Sequence, residues 1–157
     1  MTQRAAFLIR GLDEARIAAA AGAEACVPIL ILTPEDSAAA LGVLWTQELA
    51  AHLRREFPAS ELVVVFDCGD RAALAHEALR AGAEAVCFTG PEEQARGLAE
   101  VAAALGRTVV ATRPAALDLS RLSPKGRAAA AKAWIGNPQG RADVDPVVGL
   151  PGTPPGH

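Results

Sequence analysis

Asp67 closes the run "ELVVVFD" and is followed at once by Cys68 and, three positions on, by Asp70. A carboxylate at the carboxyl end of an apolar strand-like run stands where open α/β sheets bind their ligands. Other runs end in comparable residues: Arg10, Asp13 and Glu14 after "AAFLI"; Thr33, Glu35 and Asp36 after "CVPILIL"; Thr89, Glu92 and Glu93 after "EAVCF"; Thr112 and Arg113 after "RTVVA". An acidic rim of this kind suits a divalent cation, because Mg²⁺ takes one or two carboxylates and keeps several waters. Asp13, Glu14, Asp67 and Asp70 are the candidate ligands for such an ion, and Asp67, Thr89 and Arg113 the candidate reactive residues. The same acids also have a plain structural role, since carboxylates in the first turn of a helix complement its dipole.

Other chemistries lack their residues. A phosphate or dinucleotide wants bare helix N-termini and a glycine-rich loop, and neither GxGxxG nor GxxxxGK[ST] occurs in the chain. No nucleotide cofactor is expected, and Mg²⁺ is the one cofactor the acids suggest. His76 falls on the polar side of its helix, His52 flanks the Trp45 and Leu49 face, and His157 closes the chain. None stands at a strand end, where a Cys or Ser nucleophile would need its base. Cys26, Cys68 and Cys87 form no CxxC pair and lie in or beside apolar runs, so they read as small buried hydrophobes. Cys68 is the exception to watch, because a thiol at a strand end can be exposed.

The elements that must position these residues alternate along the chain. Apolar runs at Ala5–Ile9, Cys26–Thr33, Glu61–Asp67, Glu84–Thr89 and Arg107–Thr112 are separated by amphipathic stretches. Leu41, Trp45, Leu49 and Leu53 recur at intervals of four in the longest of these, for which Thr33 is the expected cap, Pro34 the first turn and Asp36 the capping-box partner. Glycines at 22, 82 and 106 are expected to end their helices in the left-handed conformation. "AGAEA" occurs twice, at Ala21–Ala25 and Ala81–Ala85, and each copy is expected to mark a helix end, a glycine turn and the entry to a strand.

Five strands alternating with four helices predict an α/β fold: a three-layer, open, parallel five-stranded sheet with helices on both faces. Pro28 cannot donate to a ladder and belongs on an edge strand or at a strand start. An edge position for the second strand favours the flavodoxin-like order 2-1-3-4-5. The length excludes an eight-stranded barrel but not a half-barrel of the same units. Ser123 and Pro124 open a C-terminal helix that Trp134 and Ile135 dock onto the body. The expected organisation is one domain over residues 1–136 and a Pro/Gly-rich disordered tail over 137–157.

On this layout the stretch from Ala5 to Pro114 is similar to the receiver domains of two-component signalling. Asp13 and Glu14 resemble the acidic pair after the first receiver strand, Asp67 the phospho-accepting Asp, Thr89 the hydroxyl after the fourth strand, and Arg113-Pro114 the Lys-Pro after the fifth. The resemblance implies Mg²⁺-dependent phosphotransfer to Asp67. It departs where Arg10, Gly11 and Leu12 precede the acids and where Arg replaces Lys. "GDRAALAHEALRAGAEAVCFTG" is likewise similar to single βα units of barrel enzymes, a likeness that implies no reaction.

Composition bounds the partners. With 51% hydrophobic and 21% charged residues the chain is long enough for one real core. A net charge of −3 with no basic cluster argues against nucleic acid. The longest apolar runs fall well short of the roughly 20 residues a membrane helix needs, and the first residues do not read as a signal peptide. The expectation is a cytoplasmic, non-catalytic module acting through a protein partner or self-association, such as a homodimer, in which Trp45 or Trp134 packs the core or anchors a contact. A small-ligand or Mg²⁺ site at the strand ends is the alternative.

Overall fold

The computed structural model describes residues 2–35, 42–138 and 141–144. The chain runs β1 (Thr2–Leu8), α1 (Leu12–Ala25), β2 (Ile29–Leu32), α2 (Gly42–Glu56), β3 (Leu62–Asp67), α3 (Ala72–Ala81), β4 (Ala85–Cys87), α4 (Glu92–Leu105) and β5 (Thr108–Val110). It continues through β6 (Leu117–Asp118), two short 3₁₀ turns, α5 (Arg127–Ile135) and β7 (Arg141–Val144). The alternation predicted an open α/β domain with a parallel sheet, and that is what forms. Asp36 and Leu41, assigned above to the start of the long helix, lie outside the described residues, as does the segment 145–157.

The strand order is β5-β4-β3-β2-β1-β6, with β7 antiparallel on β1. This corrects the expected 2-1-3-4-5. Pro28 had suggested an edge, but β2 begins at Ile29, so the proline sits just ahead of a central strand. There it has no ladder bond to donate, and its carbonyl still accepts from Ala5 N–H at 3.0 Å.

A sheet that always steps to the next strand by right-handed crossovers puts all its helices on one side. Alternation along the strands shows this. Phe7, Ile31 and Val64 pack with α1, α2 and α5, while Phe66 and Val86 pack with α3 and α4. The opposite face, carrying Ala6, Leu30, Leu32, Val63, Val65, Ala85 and Cys87, meets no helix among the described residues. Among the described residues the helices therefore lie against one face of the open parallel sheet, where helices on both faces were expected.

The two copies of "AGAEA" fold differently. Gly82 caps α3 at φ +114 as expected, but Gly22 lies inside α1, which runs on to Ala25, and it is Cys26 that takes the left-handed turn at φ 55. Cys26 is consequently exposed, not a buried hydrophobe. Gly22 serves close packing instead, since a Cβ there would fall 2.7 Å from Ile29 Cγ2 and 3.1 Å from Val27 O. Gly22→Ala is therefore expected to destabilise by about 1 kcal/mol, as overpacking outweighs the helix gain. Gly97 of α4 has nothing within 4 Å of its Cβ position, so Gly97→Ala should stabilise by about 1 kcal/mol. Urea midpoints of the two variants measure the contrast.

Ser123 and Pro124 begin a 3₁₀ turn that leads into α5. Trp134 Nε1–H then donates to Ala6 O at 2.8 Å, and Ile135 is buried, which is the docking expected of this helix. Part of the supposed tail is structured: Arg141–Val144 pair with Ala5–Thr2, and Ala142 packs on the helix-free face. No helix among the described residues is long and apolar enough to cross a membrane.

Candidate functional site

Asp67 ends β3 two positions beyond Val65, so alternation carries its side chain to the helix-free face at the carboxyl end of the sheet. The side chain is fully buried. Its Oδ1 accepts from Gly69 N–H at 2.9 Å, and its own N–H donates to Thr33 Oγ1 at 3.1 Å. Thr33 is thus a tie between β2 and β3, not a helix cap: Thr33 and Pro34 have no helical assignment and Glu35 is in a turn. Arg113 reaches in from beyond β5, with Nη2 2.9 Å from Asp67 Oδ2 and Nη1 3.1 Å from Glu35 Oε2. Glu35 lies over Gly69, where φ is +56 and a Cβ would fall 2.6 Å from Oε1. Burial pushes the Asp67 carboxyl above the usual carboxylate range, outweighing the Gly69 hydrogen bond and the Arg113 charge that draw it down.

Above this group opens a cleft of about 530 Å³ lined by Leu8, Arg10, Pro34, Glu35, Arg71 and Arg113. Its charged lining is three guanidinium groups and one carboxylate. Arg10 Nε donates to Ser120 Oγ at 3.2 Å, while Arg71, just ahead of α3, gives its backbone N–H to Cys68 O at 3.1 Å and its guanidinium makes no hydrogen bond or ion pair with described residues. Arg71 was not singled out in the sequence. The signal available was its place four residues past Asp67, in the strand-to-helix connection that must border any strand-end site.

The structure brings Asp67 and Arg113 together and leaves the other candidates apart. Glu14 is buried and folds back to accept from Arg10 N–H at 3.3 Å. Asp13 is exposed in the first turn of α1, Asp70 is exposed on the loop after β3, and the exposed Thr89 gives its backbone N–H to Gly69 O at 2.8 Å. Among the described residues no three His, Cys, Asp or Glu side chains stand close enough to share a metal ion. Cys68 is fully buried, so the exposed thiol to watch for is not there; burial pushes it and Cys87 up to about 12, which leaves both as neutral thiols at physiological pH.

In comparison with known proteins, no family model matches this chain, and no curated protein matches it.

Proposed function

We propose that the strand-end cleft binds a small anion of the carboxylate or phosphate class, and that the domain is a non-catalytic, ligand-responsive module. One observation carries the reading: arginines from beyond β1, β3 and β5 converge on a single cleft whose lining holds one carboxylate. Guanidinium groups present planar donor pairs that match carboxylate and phosphate oxygens. Arg71 is the strongest recruit, since no described residue already occupies it. Asp67 is the buried counter-charge that fixes Arg113, and it acts as a positioning residue. Mg²⁺-dependent phosphotransfer to Asp67 is less well supported, because that carboxylate is enclosed and engaged.

Titration calorimetry with inorganic phosphate and with succinate tests the proposal. Binding that weakens with added salt is expected, with a loss of roughly tenfold or more in Arg71→Ala, the order a charge-assisted hydrogen bond contributes. Binding undiminished in Arg71→Ala, or no binding of either anion, overturns it. A melting shift with Mg²⁺ alone that disappears in Asp67→Asn would favour the metal site instead.

A further inference from the structure

Three large apolar side chains are exposed among the described residues, and two of them, Leu44 at 69% and Leu12 at 41%, stand on either side of Trp45 on the outer face of α1 and α2. Leu12, Trp45, Glu48, Leu49, His52 and Arg55 line one depression there. The charges on this face divide into two sets. Glu56 is satisfied by Arg16 and by His52 Nε2 at 3.0 Å. Glu48 and Arg55 are exposed and have no partner among the described residues.

Leu44, Glu48, Ala51 and Arg55 follow the spacing four, three, four, so they form one stripe along α2. The two unpaired charges are opposite in sign and two turns apart, with a small alanine midway. A two-fold axis crossing the helix at Ala51–His52 makes that stripe complementary to itself. It sets Glu48 against Arg55 of the partner subunit twice, lets the helices approach at the alanine, and covers Leu44 and Trp45 against the turn that follows the partner's α2. Isologous interfaces require this kind of self-match, and aromatic residues and arginine are the types enriched in them.

We infer that α2 is the dimer interface of this protein, packed antiparallel against α2 of a second copy. Sedimentation equilibrium of the full chain tests it. The wild type is expected to weigh twice the chain mass. Glu48→Arg and Arg55→Glu each place like charges across the axis and should sediment as monomers with unchanged circular dichroism. Mixed together, the two variants satisfy both pairs and should recover the dimer mass. A wild type that stays monomeric at millimolar concentration overturns the proposal. So do single variants that remain dimeric, or a mixture that stays monomeric while the wild type dimerises.

Discussion

Phe66→Ala is expected to lower stability by about 4 kcal/mol, near the upper part of the range for deleting a buried phenyl ring, and to drop the melting midpoint by roughly 10 °C. Phe66 is 1% exposed and packs against Ala75, Ala78 and Leu79 of α3 and Leu98 and Ala102 of α4. The neighbours explain the size of the loss. A cavity costs less when surrounding side chains can lean into it, and alanines have nothing to lean with. Phe66 also precedes Asp67 on the strand, one side chain facing the helices and the next facing the cleft. Losing the ring should therefore loosen the Arg113 pair as well. Chemical denaturation measures the first effect, and a cost below about 2 kcal/mol would mean this core collapses far more readily than alanine-rich helices allow.

Asp67→Ala should cost about 2 kcal/mol, because it leaves the Gly69 N–H without its acceptor and Arg113 with only the exposed Glu35. Asp67→Asn should behave differently, and pH separates the two. Burial raises the Asp67 carboxyl from its ordinary 3.8, so the folded protein holds this proton more tightly than the unfolded chain. Its stabilising contribution is then fully present below the unfolded value and is lost as pH climbs through the raised folded value. Asparagine has no proton to lose. The stability of Asp67→Asn relative to wild type should increase from pH 4 to pH 7, read from urea midpoints at each pH. A relative decrease over that window would show that Arg113 outweighs burial.

The elements themselves were legible because their signals are local: four-residue periodicity in α2, glycines after α3 and α4, continuous apolar runs in β2 and β3. Their order was not, since Pro28 fits an edge strand and a strand start equally well, and only the Ala5 N–H that donates to Pro28 O and the Glu61 carbonyl that accepts from Ile29 N–H decide between them. The same limit applies to the two "AGAEA" copies, where one glycine lies inside α1, packed too closely on Ile29 to admit a side chain, and the other ends α3. At the site, Asp67 and Arg113 could be found as strand-end residues, but their pairing depends on how far the loop after β5 reaches across the sheet. Asp13, Asp70 and Thr89 occupy equivalent places in the sequence and yet are exposed and do not join that pair. Arg71 carries no such signal in the sequence, where the strand ends are rich in acids that suit a metal, whereas the charged lining of the cleft is mainly arginine.

The strand order also bears on how the chain is made. From β1 to β5 each strand pairs with the one before it, so the sheet can grow as its units emerge, each closure spanning a modest loop. The other edge is different. Phe7 waits for Leu117, and Thr2 waits for Val144, pairings between distant parts of the chain that are slow to form. Until they arrive, β1 presents a raw edge able to capture a strand from a neighbouring nascent chain. The period of greatest risk for misassembly on the ribosome therefore falls late, after the core is largely built and before its first strand is sealed.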